Sequence, residues 1–155
     1  MLKKLRKYFK VRNIDILVYS MSAEQWQPFP DIGYQLQHVP LKSRTKYYIT
    51  DDGKSIHQSY VFPKVHVLKL IGKSGPAIGD CVTIPEYKGK SIYPFVINSI
   101  AADLFKLDYP QVFIIVNPQN ASSIRGIEKA GYHLHAKIKA RRFLMFYSQV
   151  STKLF

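Results

Sequence analysis

The sequence predicts an α/β (α+β) domain with a mixed, mostly antiparallel central sheet flanked by helices, on three observations. Short alternating segments fill the first half, two of them separated by Asp51-Asp52-Gly53-Lys54. From Ile78 the order changes to strand, helix, strand, helix. Two further alternating segments close the chain. With 155 residues, 46% hydrophobic and 21% charged, the chain is globular and long enough to bury a core as one domain over 1–155.

Asn13–Ser20 alternates as a strand does. Between Met21 and Arg44, Pro28, Pro30, Gly33 and Pro40 break any long helix, leaving room for one helical turn capped by Ser22 and a short strand over Tyr34–Val39. Lys46–Thr50 and Ser55–Phe62 flank the Asp-Asp-Gly-Lys turn, a hairpin signal because Asp and Gly tolerate positive φ. Lys64–Ile71 reads as the next strand, and Gly72–Pro76 as a turn before the strand Ile78–Ile84.

After Pro85 a basic loop, Lys88-Gly89-Lys90-Ser91, leads into a helix whose apolar face is Ile92, Phe95, Val96, Ile100, Leu104 and Phe105. A strand entering a helix through such a loop offers unpaired N–H groups and a positive dipole end to an anion. A basic connection between two core elements is the other reading of the same residues. Val112–Val116, apolar on both faces, suits a central buried strand. Asn120 or a neighbouring Ser caps a helix running through Lys129, with Gly131 at its end. Tyr132–Ala140 and Arg142–Val150 read as the last two strands, turning at Lys139–Arg142.

The net charge of +13 favours anionic partners: nucleic acid, acidic lipid, or a phosphorylated substrate. Basic residues crowd Lys3–Arg12 and interleave with Leu2, Leu5, Tyr8 and Phe9, a composition that suits peripheral contact with a membrane surface or a solvated terminus. No apolar run is long enough to span a bilayer, and the basic start lacks the apolar core of a signal peptide. The lone Cys81 excludes an intramolecular disulfide and fits a cytoplasmic chain, free or at the inner membrane face. No zinc-finger, RNA-binding or helix–turn–helix signature accompanies the charge, so a nucleic-acid module rests on composition alone.

Two blocks resemble the GNAT acyl-CoA N-acyltransferases, over roughly Ile78–Tyr132. Val82–Pro94 (VTIPEYKGKSIYP) is similar to the family's pyrophosphate loop, Gln/Arg-x-x-Gly-x-Gly/Ala after a strand and a Pro. Asn120–Tyr132 (NASSIRGIEKAGY) is similar to its second block. Lys88 takes the Gln/Arg place, Ser91 the first Gly, Tyr93 the second small residue, and Ile127 stands where the family often has a Tyr acid. The family's first two helices would fall between Met21 and Arg44, where they are short or missing. Ile92-Tyr93-Pro94, with Ile56–Tyr60 upstream, resembles a branch linked to bacterial surface-polysaccharide synthesis.

The resemblance implies acetyl-CoA as cosubstrate, no metal, and a primary amine as acceptor, such as a nucleotide- or lipid-linked amino sugar. It implies that the backbone of Cys81, Val82, Thr83 and Ile84 holds the pantetheine arm and polarises the thioester. Lys88, Gly89, Lys90, Ser91, Ile92 and Tyr93 would cradle the pyrophosphate, and Asn120 would bond to the arm. A base suited to neutral pH is His57 or Asp80, and Tyr60 or Tyr93 is a candidate acid. Cys81 has no His at a nucleophile's spacing, and His133 and His135 lack partners for zinc. A protein or peptide amine as acceptor, a CoA binder without catalysis, and the nucleic-acid module are the alternatives.

Overall fold

The computed structural model describes residues 10–155. Its strands are β1 (Arg12–Ser22), β2 (Gln37–Pro40), β3 (Thr45–Asp51), β4 (Lys54–Phe62), β5 (Ala77–Thr83), β6 (Gln111–Val116), β7 (His133–Phe143) and β8 (Phe146–Leu154). They form one sheet in the order β2-β3-β4-β5-β6-β1-β7-β8. Neighbours are antiparallel except β5 and β6, which run parallel. Two α-helices are present among the described residues, α1 (Ile92–Lys106) and α2 (Ala121–Lys129).

Side-chain alternation puts apolar residues on both faces of the central strands, as a covered sheet requires. On one face Val112, Ile114 and Val116 of β6 meet Val96, Ile97, Ile100 and Leu104 of α1 and Ile127 of α2. On the other, Val18, Phe113, Ala136 and Ile138 lie under Val67 and Leu68. Each fully buried aliphatic side chain contributes about 1.5–3 kcal/mol, so α1 is held by its packed face rather than by helix propensity.

Asn98 sits inside that face, 3% exposed, and joins three segments. Its Oδ1 accepts from Trp26 Nε1 at 3.2 Å and from the Phe29 amide at 3.1 Å. Its Nδ2 donates to the carbonyls of Gln27 and Ala130, each at 2.9 Å. A buried amide with every group used fixes its surroundings strongly, because any displaced partner is left unpaired. Here it ties the irregular segment after β1 to α1 and to the end of α2.

Most elements lie where the sequence places them. The β3–β4 turn carries positive φ at Asp52 and Gly53, and Asn120 caps α2 by accepting from the Ser123 amide at 3.2 Å. No α-helix occurs between β1 and β2, as the prolines require. Two expectations are corrected. Residues 64–71 do not form a strand: His66–Ile71 is a 3-10 helix, because the consecutive residues Val67 and Leu68 are both buried on one side. The final hairpin turns at Leu144–Met145 rather than Lys139–Arg142, because β7 pairs along β1 as far as Arg12 opposite Arg142. The basic stretch before Lys10 lies outside the described residues.

Candidate functional site

The sheet opens between its two parallel strands. β5 and β6 are in register only at Ala77 with Phe113 and Ile78 with Ile114, although β5 continues to Thr83 and β6 to Val116. A bulge accompanies the parting: Gln58 opposes Val82 and Tyr60 opposes Gly79, so β5 carries an extra residue. Asp80, within that bulge, has φ +50. Beyond it, the Ile84 amide donates to the Ile56 carbonyl at 3.0 Å, so Ile84 faces β4. By strand alternation Thr83 and Cys81 present their N–H and C=O groups on the opposite edge, where β6 has left.

A cleft of about 840 Å³ occupies the opening. Its strand wall is Cys81, Val82 and Thr83, and its loop wall includes Lys88, Gly89 and Ser91. None of the backbone amides from Gly89 through Tyr93 donates a hydrogen bond within the described residues. Gly89 (φ +77) and Ser91 (φ +61) are both left-handed, which turns successive N–H groups toward one side. Pro94, the third residue of α1, has no N–H to orphan. Lys129 reaches across from α2, donating to Ser91 Oγ at 2.7 Å, and Arg125 adds a second cation. An anion held at the helix dipole is the ligand such a mouth suits.

Tyr93 fills the place where a small residue was expected, and α2 makes room for it. A Cβ on Gly126 would stand 2.5 Å from Tyr93 Cδ1, so the ring lies against the bare backbone of α2. The ring also neighbours His57, with centroids 6.4 Å apart. Burial, and then the charge of Cys81, raise the Tyr93 phenol well above its usual range. It therefore keeps its proton across the working pH range. Ile127, the next residue of α2, is fully buried in the apolar core.

His57 does not line the cleft; it lies beneath the floor, 1% exposed. Its Nδ1 is 2.7 Å from Thr83 Oγ1 and its Nε2 is 2.8 Å from Ser59 Oγ. Desolvation lowers its pKa to about 4, so the imidazole is neutral and both nitrogens are engaged. The Cys81 thiol is pushed up to about 12 by burial; a hydrogen bond from Ser59 acts against this, and the charge of Asp80 adds to it. It is not a thiolate near neutrality, which disfavours nucleophilic work.

Asp80 faces away from the cleft. Its Oδ2 is 3.2 Å from Arg44 Nη1, and the Arg44 guanidinium lies 3.9 Å from the Tyr60 ring centroid. Tyr60 thus belongs to that side as well. Ile84 and Lys90 do not line the cleft; Lys90 sits over the Tyr87 ring at 4.7 Å. Of the expected cofactor-binding residues, Cys81, Val82, Thr83, Lys88, Gly89, Ser91, Ile92, Tyr93 and Asn120 are brought together there. Sequence reasoning missed Tyr87, Ser122, Ser123, Arg125, Gly126 and Lys129. Four of these lie on one stretch of α2 and Lys129 ends it, so the helical spacing from Asn120 was the available signal.

No family model matches the sequence, and no curated protein does either. Among solved structures the chain is similar to that of a protein from Novosphingobium aromaticivorans, assigned to the GNAT family as an acetyltransferase. The TM-score is 0.62 at 16% identity, covering 85% of this chain. The chain corresponds to 65% of the length of that protein. The fold is therefore GNAT-like: a mixed, mostly antiparallel sheet whose parallel pair parts over a helix N-terminus.

Two outcomes follow from this packing. Gly126→Ala should destabilise the protein by about 1–3 kcal/mol through overpacking against Tyr93. In a Tyr93→Ala background the same change should gain up to about 1 kcal/mol, because Ala is the better helix former. Denaturation of the four proteins measures the coupling, and additivity within about 0.5 kcal/mol would contradict the contact.

The second concerns pH. Between 6.5 and about 4 the unfolded chain binds a proton at His57 that the folded chain refuses. This contribution is whole above pH 6.5 and is lost as the pH falls toward 4, about 3 kcal/mol in all. Urea titrations at pH 7 and pH 4 should show wild type losing about 3 kcal/mol more than His57→Gln. Equal losses would mean that the imidazole is not buried neutral.

Proposed function

We propose that the protein is an acetyl-CoA-dependent N-acetyltransferase. The observation that carries this reading is the unpaired edge of β5 at Cys81 and Thr83, which leads to the unpaired amides of Gly89–Tyr93. One end offers alternating donors and acceptors to an amide-bearing arm, the other offers donors to phosphate. Acetyl-CoA has both chemistries in one molecule and supplies the acetyl group already activated as a thioester. Lys88 and Arg125 add charge at the phosphate end, and Asn120 lies beside them at the α2 cap.

The roles of the chain's own groups follow from their places. An N–H of Cys81 or Thr83 is a fixed donor for a carbonyl oxygen that gains negative charge, and needs no reorganisation to act. Tyr93 lines the cleft and keeps its proton, and takes the part of acid that Ile127, buried in the core, cannot. His57 keeps Thr83 in place from below. Asp80, paired with Arg44 on the other side of β5, is not placed to take the proton of an ammonium in the cleft. The segment between β1 and β2, tied to α1 through Asn98, has no α-helix to wall the acceptor side, which suits a bulky acceptor. The sequence blocks favour an amino sugar, nucleotide- or lipid-linked, met in the cytoplasm where acetyl-CoA is made.

Calorimetry with acetyl-CoA, together with thiol release in the presence of amino sugars, other amines and peptides, tests the reading. Micromolar binding and turnover with an amine are expected. Gly89→Val should weaken binding at least about tenfold by straining the left-handed turn. Tyr93→Phe should lower kcat about 10²-fold or more while leaving CoA affinity within a few fold. Absence of CoA binding and of turnover with every acceptor would overturn the proposal. Binding without turnover would support the alternative of a CoA binder, which the buried Ile127 favours.

A further inference from the structure

We propose that the tip of the β7–β8 hairpin docks on an anionic phospholipid bilayer. The tip is a two-residue turn, Leu144–Met145, between Phe143 and Phe146. Such turns are normally built of Asn, Asp and Gly. Here all four residues are large and apolar, and they are 39%, 39%, 59% and 75% exposed in chain order from Phe143 to Phe146. Leu144 is also held at φ +54, a conformation that disfavours leucine. Neither solubility nor turn geometry accounts for this choice.

Charge surrounds the apolar tip. No acidic residue follows Glu128, and Lys139, Arg141 and Arg142 lie on the half of the hairpin nearer the tip, while Lys137, 3.8 Å from Asp15, and Lys153 lie toward its far end. Arg142 is fixed at the base of the tip: its Nε donates to the Leu144 carbonyl at 2.8 Å, and its guanidinium lies 5.9 Å from the Tyr147 ring centroid. An apolar wedge with a cationic collar matches the acyl region and the phosphates of one leaflet. A second copy of this chain is a poorer occupant, because pairing tip to tip would oppose two sets of the same cations.

The topology adds a further cation at the same place. Arg12 opposes Arg142 and Asn13 opposes Arg141, so β1 begins beside the tip and brings Arg12 there. β1 is antiparallel to β6, whose end at Val116 stands opposite Leu17. From Leu17 to Arg12 the strand rises about 17 Å, so the tip projects by about that much past the end of β6. β5 runs parallel to β6, hence the cleft opens at the same end of the sheet. Docking by the tip would turn that end toward the lipid surface.

Flotation of the full chain with vesicles tests this, without acetyl-CoA and independently of any activity. Wild type should bind phosphatidylcholine vesicles containing about one third phosphatidylglycerol at least about tenfold better than phosphatidylcholine alone. Met145→Ser with Phe146→Ser leaves every charge in place and should lose about tenfold or more of that binding. Leu144→Gly with Met145→Asn should lose as much while raising the melting temperature, since it supplies proper turn residues; this guards against a loss caused by misfolding. Arg141→Gln with Arg142→Gln should weaken binding to the mixed vesicles only. No flotation of wild type, or serine variants that bind as wild type does, would overturn the proposal. So would serine variants that change only the oligomeric mass in light scattering.

Discussion

Every buried peptide group needs a partner, and the parting of β5 from β6 creates a row of groups that the sheet does not satisfy. The strands share two register pairs and then separate, with the bulge at Asp80 turning β5 away. The sheet gives up pairing at its centre, where pairing is most easily kept. Much of the remaining architecture supports that opening. α1 begins at its mouth and covers the face below, α2 forms its far wall, and β1 continues the sheet beyond β6 so that the cut does not become an outer edge.

The side chains around the opening are set by packing as much as by chemistry. Tyr93 lies where the family pattern has a small residue, and Gly126 lies against its ring. The two form one exchange of volume between neighbouring helices: bulk added on α1 is removed from α2. The exchange places a phenol at the cleft from α1, while Ile127 of α2 is buried in the core. Beneath it, His57, Ser59 and Thr83 form a neutral, hydrogen-bonded floor. A charged imidazole there would have to be desolvated, which explains why it supports rather than titrates.

Local signals were legible in the sequence. The Asp52-Gly53 turn, the amphipathic face of α1 and the Asn120 cap each depend on residues within one turn of one another, and each lies where the pattern puts it. The cleft-lining part of β5 and its loop was legible through spacing and resemblance. What escaped depended on partners distant in sequence. His57 reads as a candidate base until it is buried and engaged by Thr83 and Ser59. Asp80 reads as a base until Arg44, on the β2–β3 connection, turns it to the other face. Lys64–Ile71 alternates well enough for a strand, but its apolar pair is claimed by the second face of the sheet as a 3-10 helix. The last hairpin was misplaced because polar residues usually mark a turn, and here the turn is the apolar part.

Amide hydrogen exchange of the full chain, with and without saturating CoA, tests most directly whether the opening is a binding edge. The unpaired amides of Cys81 and Thr83 and those of Gly89–Tyr93 should gain protection together, while the amides of Val82 and Ile84, which face β4, should change little. Protection confined to the basic surface elsewhere, or an unchanged β5 edge in protein saturated with CoA, would contradict it.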